Sequence, residues 1–222
     1  MQISKPQLIS EFLGSMFLAL AAISPMILFP YILKSSIGLA VLADAISVAF
    51  ILGVLIEIFA PISGAHFNPV VSVLMAYLDR ISYRNAVKYT LVQILGGFTG
   101  LLISHLMFFH NIPKILQVSE INRNGGSYIG EVFGTMILLL AILLLIENRH
   151  PRIGWNIGLL VGGQLLATSS TMFANPMITI VRIFTYSAAG IHPIDSLIFI
   201  IMQLTGLGLT IIIWDQFEVE KA

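Results

Sequence analysis

Apolar runs of about 20 residues recur along the chain, at 8–29, 38–59, 87–109, 127–146, 153–172 and 194–214. Each is long enough to cross a hydrocarbon core about 30 Å thick. The pattern predicts six membrane-spanning helices, and these use most of the residues, so no sizeable soluble domain is left. Two further apolar stretches, 68–77 and 175–184, begin with Asn-Pro and fit no full span.

Those two stretches belong to a repeat. Glu11, Gly14, Ser15 and Met16 correspond to Glu131, Gly134, Thr135 and Met136 at an offset of 120. Phe67, Asn68, Pro69 and Val70 correspond to Ala174, Asn175, Pro176 and Met177 at an offset of 107. Gln93 and Gly96 correspond to Gln203 and Gly206 at an offset of 110. Three matches in the same order divide the chain into halves of about 1–110 and 125–222. With three spans in each half, the second enters the membrane from the opposite side. Inverted repeats of this kind put a binding site or pore near the midplane, between the halves.

Proline suits the first turn of a helix, where its missing N–H has no partner to lose, and Asn before it is a good N-cap. Ten helical residues rise about 15 Å, half the hydrocarbon thickness. The Asn-Pro stretches are therefore expected to be half-helices that start at the midplane. The stretches before them, 63–67 and 170–174, need water or protein to satisfy their backbone at that depth. A water-filled pore supplies it, and two half-helix N-termini meeting there disfavour cations.

Only 10% of the 222 residues are charged, against about 25% in a soluble domain. Formal net charge is zero, which argues against a nucleic-acid partner. The chain has no cysteine, so disulfides and thiolate chemistry are excluded. No Ser/His/Asp, metal or phosphate-binding arrangement is found, so neither an enzyme nor a cofactor is expected. The first run carries Glu11 and no small-residue cleavage site, and reads as a retained span. With the N-terminus inside, Lys5, Arg80, Arg84, Lys88, Arg149, Arg152 and Lys221 lie inside and Lys34, Lys114 and Arg123 outside, which favours cytoplasmic termini.

The motif Ser63, Gly64, Ala65, His66, Phe67, Asn68, Pro69, Val70 resembles the loop motif of the aquaporin, or major intrinsic protein, family. The second Asn-Pro, the Glu11/Glu131 pair and the Gln93/Gln203 pair resemble it too, and the likeness covers essentially the whole chain. It implies an all-α membrane protein of one domain, 1–222, with six spans and two re-entrant half-helices, one pore per protomer, usually a homotetramer in the cell membrane. Val70 and Met177 stand where the family usually has alanine. The resemblance also implies that Glu11 and Glu131, with Gln93 and Gln203, support the loops. Gly64, Ala65, His66, Thr171 and Phe173 then line the pore. The remaining histidines, His105, His110, His150 and His192, read as solvated or interfacial.

In that family the narrowest point is built from four positions, which a gap-free count places at Val48, Gly163, Met172 and Ile178. Water-selective members typically carry an aromatic residue, histidine, a small residue and arginine there. None of the four is charged, aromatic or a side-chain donor here, so larger neutral solutes are expected to pass. Arg182 lies one turn beyond Ile178, and Asp44 one turn beyond Val48. Both are expected at a wet outer vestibule, where such a pair adds about 0–1 kcal/mol. The stretches 174–185 and 189–193 resemble a bacterial aquaglyceroporin subgroup with a displaced arginine, which implies metalloid hydroxides such as arsenous acid among the solutes.

The function expected is a passive channel for small neutral solutes, namely glycerol-like polyols, metalloid hydroxides and water. An ion- or proton-coupled transporter on inverted repeats and a closed aquaporin-like protein are the alternatives.

Overall fold

The structure, a computed structural model, describes residues 3–219; Lys221, counted above among the inside cations, lies outside the described residues. Eight helices make the body: α1 (Lys5–Ile23), α2 (Ile37–Ser63), α3 (Pro69–Tyr77), α4 (Tyr83–Met107), α5 (Gly125–Glu147), α6 (Ile153–Ala167), α7 (Pro176–Arg182) and α8 (Pro193–Val219). A short helical turn, Pro25–Ile27, and a wider π-type turn, Leu28–Ile32, extend α1. Among the described residues, five helices are long and apolar enough to cross a membrane. The fifth predicted span is shorter than expected. α6 stops at Ala167 because Thr168 turns extended, and 168–172 run on as loop, with Met172 N–H donating to Thr168 Oγ1 at 2.9 Å. Within that loop Ser170 and Met172 are buried and Ser169 is exposed.

Polarity is inverted relative to a soluble protein, as a lipid-facing bundle requires. Glu11, Gln93, Glu131 and Gln203 are fully buried, while Leu91, Leu95, Ile129 and Leu197 are exposed on the flanks. The long helices pack at small residues, where backbones approach closely. A Cβ added at Gly96 of α4 would run into the Phe12 carbonyl of α1, and one at Gly158 of α6 into the Ala49 carbonyl of α2.

The predicted half-helices form: the first ends at Tyr77, with the stretch 68–77, and the second at Arg182, short of the stretch 175–184. They start at the centre and point to opposite faces. α3 leads toward the face that carries the chain's N-terminus, here the N face, and α7 leads away from it.

Candidate functional site

Each half-helix begins with an asparagine in extended conformation, φ −153° at Asn68 and −154° at Asn175. Asn68 Oδ1 accepts from Val70 N–H at 3.1 Å, and Asn175 Oδ1 accepts from Met177 N–H at 3.0 Å, which caps both helices. The other end of each amide crosses to the opposite half. Asn68 Nδ2 donates to Ala174 O at 2.8 Å, and Asn175 Nδ2 donates to Phe67 O at 2.9 Å. Pro69 and Pro176 occupy the first helical positions, where no N–H is missed. One proton of each asparagine amide is thus used by the opposite loop, and the second remains as a donor at the meeting point.

The loops before the asparagines are held by the paired glutamates. Glu11 Oε1 accepts from Ser63 Oγ at 2.7 Å and His66 N–H at 2.9 Å; Oε2 accepts from Phe67 N–H and Gln93 Nε2, both at 2.8 Å. Glu131 repeats the pattern with Phe173 N–H and Ala174 N–H at 2.8 Å and Gln203 Nε2 at 2.6 Å. Gln93 also donates to Ser72 Oγ at 3.1 Å, and Gln203 to Thr179 Oγ1 at 2.9 Å. Positive φ occurs at Gly64, Ala65 and Phe67 and again, 107 residues on, at Thr171, Met172 and Ala174. Non-glycine residues in that region are strained and persist only where their surroundings hold them. Here the carboxylates do so, and turn the N–H groups away from the pore.

A cavity of about 490 Å³ runs from Gln7 and Arg80 on the N face, past Asn68 and Asn175, to Arg182. Gly64, Ala65, His66, Phe173, Val48, Met172 and Ile178 line it. Thr171 does not; its hydroxyl donates to Ser170 O at 2.6 Å. Gly163 does not either. It is exposed, with open space where a Cβ would stand, and Val161 and Leu165 face the cavity from α6 instead. The gap-free count carries helical register through an irregular loop, and an error of two residues turns a helix position about 200° to the other side.

Arg182 and Asp44 meet, with Nη2 to Oδ2 at 3.3 Å, but not in water: their side chains are 3% and 4% exposed. Arg182 Nη2 also donates to Ala22 O at 2.7 Å, and its guanidinium stands 4.3 Å from the Phe173 ring centroid. The pair is a buried structural contact at the end of the cavity, not a solvated one. His105 likewise departs from the interfacial reading. It is fully buried, bonded to the Ile115 carbonyl and, at 2.8 Å, to Thr185 Oγ1, with Tyr186 stacked 4.5 Å away.

Comparison with known proteins agrees with this geometry. The sequence profile of the major intrinsic protein family matches residues 2–152. The chain belongs to the major intrinsic protein family. It is 32% identical over 198 residues to the aquaglyceroporin AqpS of Rhizobium meliloti, covering 89% of this chain and 84% of that protein. A probable glycerol uptake facilitator protein of Thermotoga maritima is 26% identical over 176 residues, covering 70% and 74%. The X-ray structure of the aquaglyceroporin from Plasmodium falciparum superimposes with a TM-score of 0.71 at 20% identity, covering 93% of this chain and 92% of that one, which shows the same fold. As a major intrinsic protein the chain is a multi-pass membrane channel for water and small neutral solutes, not an enzyme.

Several lining residues were not predicted. Met75 is one; it faces the cavity and corresponds by the offset of 107 to Arg182, which the sequence did single out. Ser72 and Thr179, which tie the half-helices to the glutamines, carry the same offset and were detectable from it. Val161 and Leu165 carry no such signal.

Proposed function

We propose that the channel passes compact neutral molecules rich in hydroxyl groups, of glycerol size and including metalloid hydroxides, together with water. The observation that carries this reading is the cavity that runs from Gln7 to Arg182, whose walls around the asparagines are uncharged. Val48, Met172, Ile178 and Leu165 give it an apolar side, against which a carbon skeleton slides without losing hydrogen bonds. The asparagine amides and loop carbonyls give it a polar side that replaces water around a hydroxyl. An ion finds no counter-charge at the centre and meets the positive ends of two half-helices, so its desolvation is not repaid. Because both asparagines present donors, a passing oxygen must accept from them, which interrupts a one-directional chain of waters that could carry protons.

The carboxylates speak against coupled transport. Glu11 and Glu131 are each engaged by at least three donors, with no ionisable partner among them. The remaining features of the proposal are cytoplasmic termini, supported by seven cations against three, a place in the cell membrane, and a homotetramer with one pore per protomer, by family likeness. Val48, Met172 and Ile178 act in it as the apolar part of the filter and Arg182, held from behind by Asp44, as its polar end.

Stopped-flow swelling of proteoliposomes under water, glycerol, urea and arsenous acid gradients tests the reading. Flux above empty liposomes for glycerol and arsenous acid, independent of a proton gradient, is the expected result. Water flux alone would remove the solute class, and flux driven by a proton gradient would replace the passive channel with a coupled transporter.

A further inference from the structure

Ser72 is fully buried on the first half-helix, and its hydroxyl meets three groups. Gln93 Nε2 donates to it at 3.1 Å, His66 Nδ1 stands 3.0 Å away and Asn68 O 3.3 Å away. The direction of each proton follows from the carboxylate at the end of the row. Glu11 only accepts, so it takes one proton of Gln93 Nε2 at 2.8 Å, and that nitrogen turns its other proton to Ser72. Ser72 thus accepts from Gln93 and has one proton to give, to His66 Nδ1 or to Asn68 O.

The second half of the chain is the internal control. There Gln203 Nε2 joins Glu131 and Thr179 in the same way, but Phe173 stands in place of His66 and offers no acceptor. Thr179 Oγ1 donates to Asn175 O at 3.0 Å, whereas beside the imidazole the corresponding distance, Ser72 Oγ to Asn68 O, is 3.3 Å and the one to Nδ1 is shorter. The Ser72 proton therefore goes to Nδ1. An imidazole that accepts at Nδ1 is neutral and carries its hydrogen on Nε2. Tyr89 holds the ring edge-on, with centroids 5.2 Å apart. Gly64, at φ +88°, keeps the far edge clear, since a Cβ there would stand 3.1 Å from Nε2. His66 lines the cavity with its Nδ1 edge tied back to Ser72, and among the described residues Nε2 has no partner.

We propose that Ser72 is a positioning residue of the pore: it fixes His66 as the tautomer with hydrogen on Nε2, and so places a hydrogen-bond donor in the cavity wall on the N-face side of the asparagines. The Glu11, Gln93, Ser72 row sets the sign of that group; with the row reversed, Nε2 would accept. A solute oxygen accepts from Nε2–H as it does from the asparagine amides, while Val71 and Met75, which line the same half, offer it no polar group. This inference rests on the channel reading above.

The first measurement is NMR of the imidazole nitrogens in full-length protein in lipid nanodiscs, with H66Q identifying the His66 signals by their loss. Nδ1 should appear as a nitrogen without hydrogen and Nε2 as one that bears it; a hydrogen on Nδ1 overturns the assignment. The second is liposome swelling of wild type, S72A and S72T under glycerol and 1,2-propanediol gradients run in parallel. Glycerol presents a hydroxyl at either end and propanediol a methyl at one, so loss of a fixed donor costs glycerol more. S72A should lower the glycerol-to-propanediol ratio by about fivefold, the effect of one neutral hydrogen bond. S72T keeps the hydroxyl and should keep both the wild-type ratio and the wild-type nitrogen pattern. A wild-type ratio in S72A, or an equal loss for both solutes, overturns the role of Ser72; should S72A not reconstitute, the nitrogen pattern of wild type and S72T decides. Absence of flux in wild type overturns the channel reading, and the solute part of the inference with it, while the nitrogen pattern still tells whether Ser72 fixes the ring.

Discussion

Replacing Glu11 tests whether the carboxylate is a scaffold for the pore loop or a proton carrier. Its four donors are Ser63 Oγ, His66 N–H, Phe67 N–H and Gln93 Nε2. In Glu11→Gln one oxygen becomes an NH2 group. If that group takes the Oε1 position, the Ser63 hydroxyl rotates to accept from it, but His66 N–H is opposed. If it takes the Oε2 position, Gln93 flips to accept and Phe67 N–H is opposed. Either way one fixed backbone donor stays unpaired in a buried site, at about 1–3 kcal/mol. Glu11→Ala leaves all four donors without their acceptor, about 4–12 kcal/mol if nothing relaxes. That approaches the whole stability of an ordinary domain, about 5–15 kcal/mol. Glu11→Ala should therefore fail to give monodisperse protein. Glu11→Gln should assemble with a lowered thermal midpoint in detergent, read by size exclusion after heating, and retain gradient-independent swelling. Glu11→Ala protein with the wild-type midpoint would refute the scaffold role. A glutamine variant as stable as wild type that had lost proton-dependent flux would establish a relay.

Ile178→Arg adds charge and length to the apolar side of the cavity and should depress glycerol and arsenous acid flux more than water flux in the same swelling assay; equal loss for all solutes would mean a blocked pore. Asp44→Asn leaves the buried Arg182 cation without its counter-charge, which costs about 3–5 kcal/mol when the partner of a buried pair is removed outright and less with the amide in place; the detergent thermal midpoint should fall, and a midpoint equal to wild type would put the pair back in water. Gly96→Ala should destabilise the bundle, because its Cβ runs into the Phe12 carbonyl, whereas Gly163→Ala, with open space and better helix propensity by about 1 kcal/mol, should leave the protomer at least as stable by the same measure.

What the sequence reveals depends on whether a residue's role is local or set by packing. The Asn-Pro half-helices and the glutamates that hold them were readable, since capping chemistry and an offset repeat are properties of the chain itself. Gly163 was misplaced because a count along the chain cannot follow 168–174, where the backbone leaves helical register and enters left-handed conformations at Thr171, Met172 and Ala174. The solvation of Asp44 was misjudged for a related reason. Two charges one turn outward of a filter suggest a wet mouth, but both are buried, with Arg182 held against the Ala22 carbonyl and the Phe173 ring. Arg123 was assigned only a side of the membrane, because its approach to Phe173, with the guanidinium 5.2 Å from the ring centroid, depends on Asp195 and Gly190, 72 and 67 residues away.

The inverted repeat explains why the scaffold is symmetric while the pore is not. His66 lies edge-on to Tyr89 with centroids 5.2 Å apart and planes at 77°, and Phe173 lies edge-on to Phe199 at the same distance and angle. The residues behind the loops match pair by pair: Glu11 with Glu131, Gln93 with Gln203, Ser72 with Thr179. Those facing the cavity do not: Ala65 answers to Met172, His66 to Phe173, Val71 to Ile178 and Met75 to Arg182. The residues behind the loops satisfy backbone groups, a demand both halves share, so each half keeps the same donors and acceptors. Residues facing the cavity meet the solute at different stages of its passage, so no shared demand ties them. Divergence in the second half carries the bulk of Met172 and Phe173 and the charge of Arg182 to one end. The N-face half has His66 and Met75 at the corresponding positions. Exchanging Met75 and Arg182 should therefore move the polar end of the filter across the midplane without disturbing the Glu–loop–Asn scaffold. Arg182 would lose Asp44 in the exchange, so the variant should assemble only if Asp44 is neutralised as well, and assembly with Asp44 intact would show that the pair is dispensable to the fold.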